Sequence, residues 1–391
     1  MKPPDTAAQQ TGLFPAPALP IAALDDASRL ACLRLIRSEN VGPVTFRELI
    51  NHFGGAQPAL DALPEMSRRA RRGKPFKLCP VATAERELEA ASKARCVPIF
   101  TIEPGYPTAL ARIDHPPPMI YARGNPGLLA NDMVAIVGSR LASAAGLKLT
   151  RQFAAELGQA AFVIASGLAR GIDGAAHEIA LATGTVAVVA GGVDIIYPPE
   201  HAKLYDAITE RGCIITEMPS GYQPRAQDFP RRNRIISGVS RGVVIIEAAK
   251  RSGTLVTARY AAEQGREVFA VPGHPLDPRA EGTNGLLKNG ATLTTCTADI
   301  LDVLGPITGR HPVQLAEPAA TFPTLPPSPP PRLTDSDLDA VITSLGPHPI
   351  DIDAIVRATG LPIRAIHIAL MELDLSGRIE RHGSQLVSLR L

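Results

Sequence analysis

The segment Phe229–Arg234, with the sequence FPRRNR, carries the clearest chemical potential in the chain. Between residues 225 and 251, seven basic residues stand against two acidic ones, which leaves a local net charge of +5. Binding to a nucleic-acid backbone requires such a local excess of cations. Phe229 adds an aromatic face on which a base can stack, a contact worth roughly 1–3 kcal/mol in single-strand binders. The segment is therefore a candidate nucleic-acid-binding element.

The three arginines of this segment cannot all face the same ligand. On a helix that begins at Arg231, residues Arg231 and Arg234 share one face, while Arg232 and Asn233 point elsewhere. We therefore expect one of these arginines to form an internal salt bridge. The spacing alone leaves open which of them contact DNA.

Glycine-containing turns follow several predicted strands, at the edge of a parallel sheet where ligands bind. A glycine there lets backbone amides and a helix N-terminus approach an oxyanion, and Arg140 or Lys250 can add a positive charge. Arg170 and Asp173 can instead pair with each other, and Tyr197 is expected to pack within its loop. The candidate phosphate-binding residues of these turns are Gly138, Ser139, Arg140, Ser166, Gly167, Arg170, Gly171, Gly191, Gly192, Lys250, Ser252, Gly253 and Thr254.

Evidence for catalysis is weak. Glu247 follows a predicted strand but has no partner base, metal cluster or nucleophile in the sequence pattern. His177 has no serine or cysteine nucleophile in a recognisable arrangement, so we expect a structural role for it. The chain lacks GxGxxG, which argues against a dinucleotide cofactor, and its five scattered cysteines argue against a zinc site or a disulfide framework. We predict no cofactor, no metal and no catalytic residues.

Six short apolar runs rich in Val and Ile alternate with amphipathic helices between residues 95 and 305. Runs of this kind are typical of strands buried on both faces. The predicted fold class is α/β, an extended Rossmann-type doubly wound parallel sheet. The runs are MVAIVG (133–138), FVIAS (162–166), TVAVVAGG (185–192), CIITE (213–217), GVVIIEA (242–248) and EVFAVPG (267–273).

The regions that flank this core differ from it in composition. Residues 1–20 contain five prolines and are predicted to form a disordered tail. Residues 21–92 have helical periodicity, and NVGPVTFRELINHFGG within them is typical of a helix-hairpin-helix element or of packing within a small bundle. Residues 306–332 form a Pro-rich linker that favours extended polyproline II.

Residues 333–391 are predicted to form a winged-helix domain, with the helix-turn-helix turn at 359–362. Five arginines face eight acidic residues there, for a net charge of −3, and the second helix of the motif offers mainly Arg364 and His367. Winged helices that grip duplex DNA usually present more positive charge. A protein-contact or regulatory role is therefore as well supported as DNA binding.

The bulk composition places few limits on function. The net charge of the 391 residues is +2, so affinity for an acidic partner must come from local clusters. No apolar run approaches the roughly 18 residues that span a bilayer. We expect a cytoplasmic protein that does not contact membranes.

Taken together, these motifs resemble the DNA-processing protein A (DprA/Smf) family. The resemblance rests on AIVGSR, SGLARGIDGAAHEIAL, FPRRNRIISG, EAAKRSGTLVTARYAAEQGREVFAVPG and GTNGLLKNGA, in that order, over about 200 residues of the core. The turn after the third run departs mildly from the family, which usually has a glycine-cysteine-glycine start where this chain has Ala190-Gly191-Gly192.

The resemblance implies a core that binds single-stranded DNA without sequence preference and dimerises through the Rossmann domain. It also implies loading of the RecA recombinase onto incoming DNA during natural transformation. Arg140 would then clamp a phosphate, Phe229 would lie in the base-contacting loop, and Lys250, Ser252 and Gly253 would line the same groove. The N-terminal helices are similar to the family's sterile-alpha-motif-like domain.

Two other functions remain open from the sequence. The core is also similar to the phosphoribohydrolases, nucleotide-processing enzymes in which Glu247 would act as acid or nucleophile and Arg140 as phosphate clamp. The expected PGGxGTxxE pattern is missing, however. A transcriptional regulator that reads duplex DNA is the other alternative, and the acidic C-terminal module argues against it.

Overall fold

The computed structural model describes residues 24–71, 77–305, 333–382 and 385–390. The predicted tail at 1–20 and the predicted linker at 306–332 lie outside the described residues. The helices of the first 305 residues are α1 Asp26–Ile36, α2 Pro43–Phe53, α3 Ala56–Arg71, α4 Val81–Lys93, α5 Thr108–Ala111, α6 Ala144–Gln159, α7 Ile172–Ala180, α8 Ala202–Arg211, α9 Asp228–Val239, α10 Gly253–Glu263, α11 Glu281–Lys288 and α12 Thr297–Leu304.

A nine-stranded sheet forms the centre of the molecule. Its strands are β1 Cys96–Phe100, β2 Met119–Gly124, β3 Met133–Val137, β4 Val163–Ser166, β5 Thr185–Val188, β6 Cys213–Thr216, β7 Gly242–Ile245, β8 Glu267–Ala270 and β9 Thr292–Leu293. Their order is β1-β2-β6-β5-β4-β3-β7-β8-β9. The seven strands from β6 to β9 run parallel. The predicted doubly wound α/β core is therefore confirmed.

Apolar burial on both faces explains why the six predicted runs became strands. Every residue of β3, β4, β5, β6 and β7 is buried. Two separate apolar clusters cover the two faces, one around Ile235 and Val239 of α9 and the other around Phe153 and Leu157 of α6. Near-continuous Val and Ile in these strands match a sheet with no solvent-facing side.

The antiparallel pair β1 and β2 was not predicted. β2 pairs antiparallel with β6, and β1 pairs antiparallel with β2, so the sheet is mixed. Pro98 in β1 lacks a backbone donor, and Val97 is exposed, which is compatible only with a strand at the edge of a sheet. This short, interrupted apolar pattern did not resemble the buried parallel strands.

The direction of winding reverses at β3. After β3 the chain crosses through α6 to β4, on one side, and it returns after α9 to β7, on the other side of β3. In open α/β sheets, such a switch point opens a crevice at the carboxyl ends of the strands. The turns after β3, β4 and β7 therefore surround one crevice.

Residues 333–382 and 385–390 fold as three helices and a small sheet, as expected of a winged helix. The elements are α13 Asp335–Ser344, β10 Ile350–Asp351, α14 Ile352–Thr359, α15 Ile363–Leu375, β11 Ile379–His382 and β12 Leu386–Leu389. Gly360 ends α14 with φ +68°, the left-handed conformation that a helix-ending glycine supplies. Helix α15 corresponds to the second helix of the predicted helix-turn-helix.

Helix α15 packs against the N-terminal helices. Met371 and Leu375 belong to the same buried cluster as Phe46 and Leu49 of α2. Asn40 Nδ2 donates to the Leu375 carbonyl at 2.9 Å. The contact made by this helix is thus intramolecular, whereas Arg364 at its start remains exposed.

Charged groups complete the contact between the two flanking regions. Arg381 Nη2 lies 2.8 Å from Glu48 Oε2, and Arg381 Nε lies 3.2 Å from Asp374 Oδ2. Asp374 also accepts a hydrogen bond from Thr45 Oγ1 at 2.6 Å. The arginine side chain is 9% exposed, so its charge depends on these two carboxylates for compensation.

Among the helices of the described ranges, none alone is long and apolar enough to cross a bilayer. Only α14 and α15 taken together reach that length, and they are bent by 113° at their junction.

Replacement of Arg381 by Met should lower the free energy of unfolding by roughly 3–5 kcal/mol, because Glu48 and Asp374 would stay partly buried without a counter-charge. Urea unfolding of Arg381→Met, Glu48→Gln and the double variant measures this loss and the coupling between the two residues. Lys93→Met serves as the control, because Lys93 forms an exposed i,i+4 pair with Glu89 and should change nothing measurable. Equal, additive effects of Arg381→Met and Glu48→Gln would contradict the prediction.

Candidate nucleic-acid interface

A cavity of about 540 Å³ opens at the switch point. We call it the rim cavity. Its walls come from the turn after β3 (Gly138–Leu141), the start of α9 around Phe229 and Arg232, and the start of α10 (Arg251–Thr254). Three of the segments that the sequence singled out therefore meet in one place, as the carboxyl ends of neighbouring parallel strands should.

Two arginines leave the rim cavity positively charged. Arg140 and Arg251 are exposed and both line the cavity. Neither forms an ion pair with any residue that the structure describes. Uncompensated guanidinium groups beside a cavity are suited to bidentate contacts with phosphate oxygens.

Hydrogen bonds fix the three walls to one another. Ser252 caps α10, because its Oγ accepts from the Thr254 amide at 3.1 Å. Thr254 Oγ1 donates to the Gly138 carbonyl at 3.2 Å, which ties α10 to the turn after β3. Asn233 Nδ2 donates to the Gly253 carbonyl at 3.3 Å, which ties α9 to α10. Gly138, Ser252, Gly253 and Thr254, which are predicted phosphate ligands, therefore also hold the walls of the cavity together.

The N-terminus of α6 already holds a carboxylate. Glu247 accepts hydrogen bonds from the Ser143 amide at 3.0 Å and from the Ser143 hydroxyl at 2.5 Å. A Cβ on Gly146 would lie only 2.7 Å from Glu247 Oε1, so glycine admits the carboxylate there. The oxyanion pocket expected at this helix is thus filled by the chain itself. Glu247, the candidate catalytic group of the phosphoribohydrolase alternative, caps a helix.

In the turn after β4, the backbone amides also bind a carboxylate of the chain itself. Asp173 Oδ2 accepts from the Gly167 amide at 3.1 Å and from the Ala169 amide at 3.4 Å. Burial raises the pKa of Asp173, against the charge of Arg232 and these hydrogen bonds. The alternative pairing of Arg170 with Asp173 is absent among the described ion pairs, and Arg170 lies 3.6 Å from Glu200 instead. The amides of Gly167 and Ala169 therefore face Asp173 and not a ligand.

Gly171 in this turn is required by its backbone. It has φ +77°, and an added Cβ would lie 2.3 Å from the Ser139 carbonyl oxygen. Ser166 is fully buried, and its Oγ donates to the Ile136 carbonyl at 2.6 Å. Both residues build the turn rather than line the crevice.

The glycine pair after β5 packs against another loop. Gly192 donates its amide to the Tyr222 carbonyl at 2.9 Å, and a Cβ on it would lie 2.6 Å from the Pro219 carbonyl oxygen. A Cβ on Gly191 would lie 3.0 Å from Pro224 Cδ. The close approach predicted at Gly191 and Gly192 is therefore an approach to the chain itself, although Gly191 also borders a cavity.

The arginines of α9 divide between two environments. Glu217 pairs with both Arg231, at 2.8 Å, and Arg234, at 2.5 Å. Arg234 also donates to the His115 carbonyl at 2.8 Å. The internal salt bridge expected of one arginine thus involves Arg231 and Arg234, which share a face. Arg232 points the other way, between α9 and the turn after β4.

Arg232 is buried, and none of the residues that the structure describes forms a hydrogen bond with its guanidinium. Its relative exposure is 7%, and within the described part of the chain neither Nε nor Nη1 finds an acceptor. An added Cβ on Gly167 would lie 1.7 Å from Arg232 Nη1, so only glycine leaves room for the guanidinium. Burial lowers the pKa of Arg232 to about 10, although the nearby Asp173 favours its charged form. Arg232 is therefore a buried cation at neutral pH.

The local charge of +5 is not concentrated on the rim. Arg241 precedes β7 at the opposite edge of the sheet, and its Nε lies 2.7 Å from Asp132 Oδ1. Lys250 Nζ lies 3.1 Å from Glu281 Oε1. Within the described residues, the cations that line the rim cavity are Arg140, Arg232 and Arg251. Only Arg232 and Arg251 of these belong to the stretch that carries the local charge of +5.

Two aromatic rings lie at the mouth of the crevice. The ring centroids of Tyr197 and Phe229 are 5.4 Å apart at an interplanar angle of 54°. Tyr197 is 48% exposed, so about half of its surface is accessible to a ligand, and its packing role in the loop stays a prediction. The position of Tyr197 after β5, at the carboxyl edge of the sheet, is the sequence signal that could have identified it as a residue of the crevice.

A second cavity, of about 200 Å³, adjoins the rim cavity, and we call it the small cavity. Its walls are Val189–Gly191, Tyr197–Glu200, Pro224 and Phe229, with Arg232 at the boundary between the two cavities. Arg140, Arg170 and Leu168 also line this space, so charged and apolar side chains border it as they border the rim cavity.

His177 lies in the protein interior below the turn after β4. Its Nδ1 is 2.7 Å from Thr185 Oγ1, whose hydroxyl in turn donates to the Ile164 carbonyl. Burial, together with the nearby His201 and Arg232, lowers the pKa of His177 to about 3. Over the ranges that the structure describes, no group of three or more His, Cys, Asp or Glu side chains is arranged to hold a metal ion.

Three family models match the chain. The model described as DNA recombination-mediator protein A covers residues 98–305. A DprA-like N-terminal HHH domain matches residues 26–90, and a DprA winged helix domain matches residues 325–385. The chain belongs to the DprA/Smf family.

Relatives within this family are similar to the chain over most of its length. Protein Smf of Escherichia coli (strain K12) is 38% identical over 287 residues, which are 73% of this chain and 75% of the relative. Protein Smf of Synechocystis sp. is 32% identical over 377 residues, which are 88% of this chain and 94% of the relative. Both alignments extend beyond the Rossmann core.

Two solved structures of the family have a similar fold. The X-ray structure of DprA from Streptococcus pneumoniae is 38% identical, with a TM-score of 0.54 over 57% of this chain and 77% of that chain. DprA from Helicobacter pylori, described for its single-stranded DNA binding mode, is 29% identical, with a TM-score of 0.50 over 55% of this chain and 97% of that chain.

Acid should destabilise the protein partly through His177. The folded-state pKa of about 3 lies below the usual value of 6.5, so below pH 6.5 only the unfolded chain takes up this proton. Stability should therefore fall by up to about 1.4 kcal/mol per pH unit between pH 6.5 and pH 3 from this residue. Urea unfolding of His177→Asn across this range should show a shallower pH dependence than the wild type.

The control for this measurement is His348→Asn, because His348 is exposed and should keep the wild-type slope. Parallel curves for the wild type and His177→Asn would contradict the assignment of a buried, neutral imidazole.

Proposed function

We propose that the protein binds single-stranded DNA along the C-terminal rim of its sheet, with little dependence on sequence. The observation that carries this proposal is the convergence of Arg140, Arg251 and the N-terminus of α10 on the rim cavity. Unpaired guanidinium groups and helix N-terminal amides are the groups that bind phosphate oxygens.

The aromatic mouth of the crevice favours a single strand over a duplex. Tyr197 and Phe229 offer ring faces to bases, and stacking requires bases that are not enclosed in a helix. Every base has such a face, so this contact tolerates any sequence. The single-stranded DNA binding mode described for the Helicobacter pylori relative supports the same ligand.

The remaining predicted phosphate ligands contribute less to the proposed binding site. Ser139, Gly138, Ser252, Gly253 and Thr254 line the rim cavity and would shape its floor. Asn233 lines the rim cavity and Arg170 lines the small cavity. Arg170, Lys250, Arg231 and Arg234 carry ion pairs that a phosphate would have to compete with.

We further propose that the bound strand is passed to the RecA recombinase, that the protein acts in the cytoplasm, and that it dimerises through its Rossmann domain. The family description, a DNA recombination mediator, supports the first of these. Leu276, in the loop after β8, and Leu293, in the edge strand β9, are exposed and supply apolar surface that a second copy could cover.

The environments of Glu247 and His177, the two residues considered as candidates for catalysis, are compatible with a protein that binds DNA without catalysis. Both oxygens of Glu247 accept hydrogen bonds from Ser143, and His177 is fully buried. Neither is placed to exchange a proton with a ligand in the crevice.

Arg140→Ala should weaken binding of single-stranded oligonucleotides roughly tenfold, because a charged hydrogen bond to phosphate is lost. The slope of log affinity against log salt should become shallower by roughly 0.7. Fluorescence anisotropy over a salt series measures both quantities. Arg211→Ala is the matched control, because this exposed arginine ends α8 at the opposite edge of the sheet. Absence of single-strand binding by the wild type at low salt would refute the proposed function.

Loading of RecA is tested by the rate of RecA filament formation on a single strand coated with single-strand-binding protein. The wild type should shorten the lag, and Arg140→Ala should do so less, because loading requires the strand to be held. A lag that the wild type leaves unchanged would remove RecA loading from the proposal while leaving DNA binding intact.

A further inference from the structure

A third cavity, with a volume of about 610 Å³, opens where the N-terminal helices, the core and the winged helix meet. We call it the interdomain cavity. Pockets for small ligands enclose roughly 300–1,000 Å³, so this space is large enough for a small organic molecule. Its walls come from the turn between α1 and α2, from His115 and Arg234 of the core, and from Asp374, Gly377, Ile379, Arg381 and Arg390 of the winged helix.

The interdomain cavity is separate from the crevice at the rim of the sheet. Among the residues that the structure describes, it shares no lining residue with the rim cavity or with the small cavity. Single-strand binding at the rim therefore gives this space no role.

The turn between α1 and α2 belongs to the predicted helix-hairpin-helix element. Gly42 precedes α2 and supplies no side-chain cap. The amides of Val44 and Thr45, in the first turn of the helix, have no intrahelical acceptor, and both residues line the interdomain cavity. Asn40 Nδ2 donates to the Leu375 carbonyl at 2.9 Å, which holds the turn against α15.

Arg390 brings an uncompensated positive charge to the interdomain cavity. It is exposed, and none of the residues that the structure describes forms an ion pair with its side chain. On the core wall, Arg231 and Arg234 share the single carboxylate of Glu217, so these three groups keep one excess positive charge. Guanidinium groups bind phosphate oxygens through paired hydrogen bonds.

The carboxylates on the winged-helix side are paired within the protein. Asp374 Oδ2 lies 3.2 Å from Arg381 Nε, and Glu48 Oε2 lies 2.8 Å from Arg381 Nη2. These three groups leave one excess negative charge. Arg390 and the exposed Arg47 of α2, which also has no ion pair with a described residue, outweigh that charge.

The imidazole of His115 reports the positive potential in this region. Its Nδ1 is sealed from solvent and has no hydrogen-bond partner within the described ranges. Burial lowers the pKa of His115, and the charges of Arg234, Arg47 and Arg381 lower it further, against the opposite effect of Asp114. One arginine from each of the three parts of the chain thus acts on the same point of the wall. Such a potential attracts anions.

We propose that the interdomain cavity binds a small molecule that carries a phosphate group. Arg390 and the first-turn amides of α2 hold the phosphate, and the apolar side chains of Val41 and Ile379, which line the same cavity, contact the rest of the molecule. The proposal goes beyond single-strand binding at the rim and does not depend on it.

A ligand in this position joins three parts of the chain. Because its walls come from both sides of the contact between α2 and α15, the cavity is complete only while the winged helix is docked. A molecule that binds one arrangement alone stabilises it by mass action. The concentration of the phosphate compound therefore regulates how firmly the winged helix is held against the N-terminal helices.

Isothermal titration calorimetry of the full-length protein tests the binding. The titrants are inorganic phosphate, ribose 5-phosphate and adenosine 5′-monophosphate, with adenosine and chloride as controls at the same ionic strength. At least one phosphate compound should bind roughly tenfold more tightly than adenosine, because charged hydrogen bonds to the phosphate are absent in adenosine. The order of the three affinities identifies the source of the phosphate as the free ion, a sugar phosphate or a nucleotide.

Two variants locate the phosphate. Arg390→Gln removes the free guanidinium and should weaken binding of the phosphate compound roughly tenfold. Val44→Glu places a carboxylate in the first turn of α2, where a helix tolerates it, and should abolish binding by repulsion. Arg357→Gln is the matched control, because this exposed arginine of α14 does not line the cavity.

Thermal melting checks the fold of each variant and the effect of the ligand on docking. The phosphate compound should raise the melting temperature of the wild type and of Arg357→Gln, and it should leave that of Val44→Glu unchanged. If Val44→Glu fails to fold, the comparison of Arg390→Gln with Arg357→Gln still decides, since the Arg390 side chain is exposed.

Arg140→Ala separates the interdomain cavity from the rim, and it should bind the phosphate compound as the wild type does. Loss of binding in Arg140→Ala together with full binding in Arg390→Gln would place the ligand at the rim and overturn the proposal. Equal affinities for adenosine and all phosphate compounds would also overturn it. So would duplex DNA that requires Arg390 for binding and that no phosphate compound displaces. Failure of single strands to bind the wild type would refute the proposed function alone.

Discussion

The Asp173 carboxylate is the group on which the architecture of the rim depends. It is buried, it accepts the amides of Gly167 and Ala169, and it lies close enough to Arg232 to favour the charged guanidinium. Without it, two backbone donors and one cation would be left buried and uncompensated, which is among the most costly arrangements in a protein interior. The left-handed Gly171 and the close approach at Gly167 follow from the same turn. One carboxylate thus fixes the loop, the arginine and the boundary between the two cavities.

The sheet could be predicted from the sequence because its strands are buried on both faces. Continuous apolar runs such as MVAIVG and GVVIIEA predict strands of this kind, and the structure places β3 and β7 within them. The β1–β2 pair escaped prediction because Pro98 and the exposed Val97 interrupt the pattern of β1, and because the buried run of β2 is only four residues long, Met119–Ala122. The local sequence pattern predicts buried strands well, but it predicts the pairing of strands at a sheet edge poorly.

The candidate site was predictable in its location but not in its contacts. Gly-Ser-Arg after β3 and Lys-Arg-Ser-Gly after β7 do meet, because the switch point forces them together. The sequence could not show that Glu247 occupies the α6 N-terminus or that Gly192 packs against Pro219, since both contacts join segments distant along the chain. Arg231 and Arg232 are neighbours of the same type, and only the position of Glu217 decides which one is neutralised.

The docking of α15 links the first helices of the chain to its last domain, and this has a consequence for synthesis. Asn40 contacts a carbonyl 335 positions later, and Phe46 shares a cluster with Met371. During translation, the N-terminal helices leave the ribosome with part of their apolar surface uncovered until α15, more than 300 residues later, has been made. The nascent chain therefore exposes this apolar surface until α15 has been synthesised. A prematurely terminated product that lacks α15 would retain that face permanently and would be a natural client for chaperones and proteases.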